Sequence, residues 1–158
     1  QKDNTNFSNR LNLGFNLAVM QTEQDFNEDK VARENRFTAD FTFNNGKLAG
    51  ASDLIVNTDL SYFKQFSKDT DFMATVTFGY FSAKIRAIGT QGRGHLVDQA
   101  NHQLDFIVKS NISKKIKIGF SVKNLTDPLF KRIQEGKNTL VQSYKKGVDF
   151  SLSMTYKF

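Results

Sequence analysis

The chain contains no cysteine, no tryptophan and a single proline, Pro128. Without cysteine it has no disulfide and no thiolate metal ligand. Its two histidines, His95 and His102, have no assured carboxylate neighbour in sequence and make a poor zinc pair. No metal site is expected. Long apolar runs are also missing. No stretch approaches the roughly 20 apolar residues of a spanning helix, and the mean hydropathy is −0.47. The opening residues Gln1, Lys2, Asp3 and Asn4 are polar, with no apolar segment after them, so they do not read as a secretory leader. Helical periodicity is nearly absent. No Gly-x-Ser-x-Gly nucleophile elbow occurs, and two scattered histidines give little from which to build a catalytic set. Neither an enzyme nor a cofactor is expected.

What the 158 residues do contain is 16 phenylalanines, a net charge of +6 and a recurring alternation of apolar and polar residues. The length suffices for one domain. The lysines are scattered, and where they cluster (Lys114 with Lys115, Lys145 with Lys146) they sit at inferred strand ends. The basic balance is therefore not read as a nucleic-acid footprint.

The alternation is strictest at the end of the chain, from Gly147 to Phe158. Val148, Phe150, Leu152, Met154, Tyr156 and Phe158 are apolar; Asp149, Ser151, Ser153, Thr155 and Lys157 between them are polar. Successive strand residues point to opposite faces, so this segment has one apolar and one polar side. A soluble strand would lay the apolar side on a core; an outer-membrane strand would turn it to lipid. The terminal aromatics Tyr156 and Phe158 lean towards the second, at the level of an interfacial girdle.

Five further strands follow from the same period. They run over about Arg10–Gln21, Leu54–Phe66, Asp71–Lys84, His102–Ser110 and Lys115–Asn124. Short turns are expected at Ser67–Thr70 and Asn111–Lys114. The polar stretch 22–51 is read as a long connection. It holds a brief alternation at Phe37, Ala39, Phe41 and Phe43, and an Asn45-Gly46 tight turn. The Gly-rich segment 88–95 and residues 125–146 are read as further long loops. Long and short connections alternate, and the strands exceed the mean of about 5–6 residues in soluble sheets. Antiparallel outer-membrane barrels have this asymmetry.

Two motifs invite sharper readings. Asp25-Phe26-Asn27-Glu28-Asp29 spaces its oxygens like a calcium loop, but Lys30 and Arg36 stand where an EF-hand needs Gly and Glu. A solvated acidic loop is expected. Gly89-Thr90-Gln91-Gly92-Arg93-Gly94 lacks the Gly-Lys-Ser/Thr of a phosphate loop. It is read as an external loop where Arg86, Arg93 and His95 are candidates to touch an anionic ligand. The polar strand faces place Asp59, Gln103, Asp105, Lys109, Asp149 and Ser151 on the inner wall of a barrel.

Five stretches taken together resemble the C-terminal part of a TonB-dependent outer-membrane receptor of the Bacteroidota type. They are Leu48–Ser52, Ile88–Gly94, Val122–Pro128, Ser143–Gly147 and the closing Tyr156-Lys157-Phe158. The resemblance covers essentially the whole chain. It implies an all-β fold of antiparallel transmembrane barrel strands, with residues 1–158 as about six C-terminal strands of a larger barrel and the plug domain absent. It implies import of a nutrient such as a metal chelate, oligosaccharide or peptide. The implied partners are outer-membrane lipid and lipopolysaccharide, the rest of the barrel and its plug, TonB, the barrel-assembly machinery and a surface lipoprotein. Tyr156 and Phe158 would form the insertion signal. The alternatives are a non-transporting outer-membrane module or a soluble β-sandwich, the latter with its apolar face sealed as a core.

Overall fold

The computed structural model describes residues 8–35 and 41–158. In chain order its elements are β1 (Asn9–Val19), β2 (Gln24–Asp25), α1 (Glu28–Asn35), β3 (Asn45–Gly46), β4 (Leu54–Gln65) and β5 (Asp71–Phe81). There follow β6 (Lys84–Ala87), β7 (Leu96–Asp98), β8 (Asn101–Asn111), β9 (Ile116–Lys123), β10 (Phe130–Gln134), β11 (Thr139–Tyr144) and β12 (Asp149–Tyr156). Phe37 and Ala39 of the expected alternation, Arg36 of the acidic motif, and the polar opening Gln1–Asn4 lie outside the described residues.

The molecule is mostly antiparallel β-sheet. The six strands of 8–12 residues pair in the order β1-β4-β5-β8-β9-β12. Sequence neighbours within this set are spatial neighbours, and every pairing is antiparallel. The register aligns one apolar row across all six: Leu13, Leu60, Val76, Phe106, Val122 and Phe150. A slip of one residue in any strand would break that row and move its apolar set to the other face. β1 and β12 each pair on one side only, so the sheet is open among the described residues rather than closed into a barrel.

One end of the sheet is tight. Phe66 and Ser67 donate to the Thr70 carbonyl (2.9 and 3.1 Å), and Ile112 donates to Ile116 (3.0 Å). Thr70 Oγ1 donates to the Ile112 carbonyl at 3.1 Å and ties the two turns together. All long connections gather at the opposite end, and they are not loops throughout. β11-β10-β7-β6 form a second, four-stranded sheet. It begins where β5 and β8 are each interrupted, at residues 82–83 and 99–100. Ser82 redirects the chain there: its N–H pairs with the Leu54 carbonyl (2.9 Å), its hydroxyl accepts from the Leu54 N–H (3.0 Å), and its carbonyl accepts from Ser52 Oγ (3.1 Å).

Two local expectations are corrected. Asn45-Gly46 is not a hairpin tip; it is β3, paired with Gln24-Asp25. The acidic stretch is a helix start. Asn27 caps α1 by accepting from the Lys30 N–H (2.8 Å), and Glu28 and Asp29 occupy the first turn, where the helix dipole favours carboxylates.

The apolar residues do not converge on a conventional core. Among the described residues only Val97 and Val122 are buried hydrophobics. A soluble β-sandwich would cover its apolar face with a second layer. Here Leu11, Leu13 and Phe15 are 68–76% exposed, and no described layer covers them.

Candidate functional site

The largest feature is the apolar face of the six-stranded sheet. Four rows cross it in register. Leu17, Val56, Tyr80 and His102 form one; Phe15, Thr58, Phe78 and Leu104 the next. The third is the row described above, and the fourth runs Leu11, Tyr62, Ala74, Val108, Phe120 and Leu152. None of the four contains a Lys, Arg, Asp or Glu. A charge enters this face only at the turn end, where Lys64 lies with its ammonium 5.0 Å from the Phe66 ring. From Leu11 to Val19 the strand rises about 27 Å at roughly 3.4 Å per residue. Tilted by about 40°, it would cross about 20 Å, near the ~25 Å apolar band of membrane barrels.

The opposite face is predominantly polar, with Ile55, Phe63, Met73, Phe81 and Ile107 as its large apolar members. Asp59, Thr77 and Asp105 share one row; Gln103 faces Gly79, Lys109 faces Gly119, Ser151 faces Ser121, and Asp149 faces Lys123. Gln103 Nε2 lies 3.0 Å from both Asp105 oxygens. Two glycines make room for side chains leaning across the sheet. A Cβ on Gly14 would collide with the Asp59 carboxylate, and one on Gly119 would meet Ser153 Oγ at 2.6 Å. With the sheet open, these residues form a polar wall rather than an enclosed lumen.

At the loop end, Asn124 is a buried polar clamp. Its N–H donates to Asp105 Oδ1 (2.8 Å) and its Nδ2 to the Gly147 carbonyl (2.7 Å). Asp127 Oδ1 accepts the Gly147 N–H at 2.9 Å. Asn124 and Asp127 both have positive φ (57° and 39°), a conformation their short polar side chains tolerate.

The expected anion trio does not assemble. Arg86 and Arg93 are exposed, whereas His95 is buried. His95 Nδ1 accepts the Gly89 N–H (3.1 Å), its ring lies 4.7 Å from Phe43, and its carbonyl accepts from Glu135. It joins three connections and has a structural role. The close approach also explains Gly94, where a Cβ would lie 2.5 Å from the Glu135 carbonyl oxygen.

A cluster not singled out by the sequence lies between the two sheets. A cleft of about 410 Å³ is bordered by Lys84, Lys131, Arg132 and Lys146, with Asp98 as its one carboxylate. Phe130 and Tyr144 stack at 5.3 Å and 15°, and Lys146 Nζ sits 4.3 Å from the Phe130 centroid. Arg132 Nε donates to Asp98 Oδ1 at 2.5 Å and Nη1 to Gln142 at 3.0 Å. The hydrogen bond that Arg132 donates to Asp98 raises the guanidinium above its ordinary value against some desolvation, with the Asp98 charge adding to it. The residues that meet here come from the end of the strand read over 71–84, the start of the one read over 102–110, and the connection read over 125–146.

At the C-terminus Phe158 is fully exposed and meets Tyr156 edge-on at 5.2 Å. Lys115 Nζ lies 6.0 Å from the Tyr156 ring. Among the described residues no group of three His, Asp or Glu is placed to hold a metal ion. No helix of the described residues is long and apolar enough to cross a membrane.

Compared with known proteins, the chain is 34% identical over 83 residues to a component of eukaryotic translation initiation factor 3 of Schizosaccharomyces pombe, the one designated E. The match covers 52% of this chain and spans 15% of that protein's length. No protein-family model matches, and no solved structure matches. The likeness to TonB-dependent receptors is corrected by these findings, and with it nutrient import and the partners it implied: TonB, plug, assembly machinery, lipopolysaccharide and surface lipoprotein. The physical reason lies in four of the five stretches. Leu48–Ser52 forms a turn, Ile88–Gly94 a close backbone crossing, and Val122–Pro128 with Ser143–Gly147 the Asn124 clamp. Such turn chemistry serves any antiparallel sheet with long connections at one end.

Proposed function

We propose that this chain is a wall segment of an outer-membrane β-barrel, with a structural rather than chemical role. The observation that carries the reading is the charge-free apolar face, four registered rows deep, half-buried on its inner strands with Val122 buried, and most exposed on β1 and β12. Phe150, Leu152 and Met154 on β12 are 68–77% exposed, like their counterparts on β1. Removing one such side chain from water is worth about 1.5–3 kcal/mol. A contiguous exposed apolar face of this kind marks a surface that meets lipid or another protein. Lipid covers it without needing a complementary protein surface. The polar wall then faces water, where Asp59, Asp105 and Lys109 are tolerated. Tyr156 and Phe158 suit the interface between lipid and water.

The similarity to an initiation-factor component supports a second reading, a protein-docking module within a translation initiation complex. In that setting the apolar face would be covered by neighbouring proteins of the complex. The absence of native cysteine allows one experiment to separate the two. Single cysteines at Leu13, Phe106 and Leu152, and at Asn12, Thr77 and Ser151, are labelled with a fluorophore in lipid vesicles carrying an acyl-chain quencher. The membrane reading expects the first three to be quenched several-fold more than the second three. Equal quenching at both sets, or a chain that stays in water without lipid, overturns it in favour of the docking module.

A further inference from the structure

We infer that the cleft between the two sheets binds a small soluble organic diphosphate. Four cations border it against one carboxylate, which leaves three positive charges around about 410 Å³. Arg132 is already committed to Asp98 and Gln142. Lys84, Lys131 and Lys146 have no carboxylate partner among the described residues. Each of these three is a compact point charge of the kind that binds phosphate oxygens. One phosphate carries about −1.5 to −2 charges near neutral pH, so two linked phosphates match the lining and one does not. The volume lies within the roughly 300–1,000 Å³ of small-molecule sites, which leaves room for an organic moiety. The stacked Phe130–Tyr144 pair and the side chains of Gln99 and Asn101 are placed to meet it.

The cleft belongs to the polar side of the sheet, because its lining residue Gln103 lies on that face and Asn101 shares its strand parity. A ligand therefore arrives from water, not from the lipid that the apolar face would meet. The inference stands on the cleft alone and holds whether the apolar face meets lipid or protein.

The test is calorimetric titration of the full chain, in detergent and at low salt, with inorganic pyrophosphate as the probe. One saturable site is expected, weakened by added salt. Lys131→Gln and Lys146→Gln should each weaken it about tenfold, the size of one charge-assisted contact. Lys137→Gln, on the β10–β11 turn outside the cleft, should leave it unchanged. Two cleft variants are used so that one failing to fold does not remove the test. Absence of saturable binding, or equal loss with Lys137→Gln, overturns the proposal. A parallel arm compares nanodiscs of phosphatidylglycerol and phosphatidylcholine. Lysine-dependent preference for the anionic lipid without pyrophosphate binding assigns the cleft to a headgroup and also overturns it.

Discussion

Asn124 shows how much of the rim rests on one side chain. It is buried, adopts a positive φ of 57°, donates its backbone N–H to Asp105 and donates its side-chain Nδ2 to the Gly147 carbonyl. Asn124→Ala removes the Nδ2 bond, leaves the Gly147 carbonyl short of its donor, and forces an alanine into a left-handed conformation. Each term is worth about 1–2 kcal/mol. The combined loss should be about 2–4 kcal/mol, read as a lower urea midpoint. Asn124→Gly relieves the backbone strain but not the lost bond, so it should fall between wild type and alanine. Equal effects of glycine and alanine would mean that conformation contributes nothing there. The sequence marks Asn124 only as the last residue of the strand read over 115–124 and as a member of the stretch Val122–Pro128. Its partner Gly147 lies 23 positions away, and no local pattern pairs the two. His95 was legible as a polar residue in a Gly-rich segment. That it faces Phe43 and Gly89 depends on how three connections cross, which period-two reading does not reach.

The six long strands were legible because one face is predominantly apolar and their register follows from it. Their observed bounds lie within a few residues of those read from the alternation. The second sheet was not legible. β6, β7, β10 and β11 hold three to six residues each, too few to establish a period, and their pairing joins connections distant in sequence. α1 was missed for a related reason: eight residues rich in charge carry no apolar stripe, and the helix depends on the Asn27 cap. The cationic cleft was missed along with the elements that build it. The strand assignment carries a direct prediction on β12. Leu152 lies in an apolar row and Ser151 on the polar wall, and both are exposed. In water, arginine at either position should be nearly neutral. In lipid, Leu152→Arg should cost about 2–4 kcal/mol at mid-strand, while Ser151→Arg should cost little. The folded fraction in vesicles, read by heat-modifiable gel mobility, should drop for Leu152→Arg alone. Equal tolerance in vesicles would contradict lipid contact at this face.

At the scale of the whole molecule, the open sheet sets the strongest constraint. β1 and β12 each present an edge of unpaired backbone groups. In hydrocarbon an unpaired N–H or C=O costs several kcal/mol, so an open edge does not persist there. Six strands fall short of the about eight that close the smallest membrane barrels. The sheet must therefore gain strands at both edges before it can sit in lipid, from a second copy or from another segment. Detergent extraction followed by light-scattering mass measurement tests this. A folded species well above 18.0 kDa is expected, and it should lose its β-sheet signal when dissociated to a single chain. A monodisperse, folded 18.0 kDa species in detergent would show that the edges need no partner, and lipid burial of the sheet could not stand. A large species that forms in water without detergent would place the missing contacts on protein instead. The exposed rows of β1 and β12 would then be the docking surface, because they are the most uncovered apolar residues of the sheet.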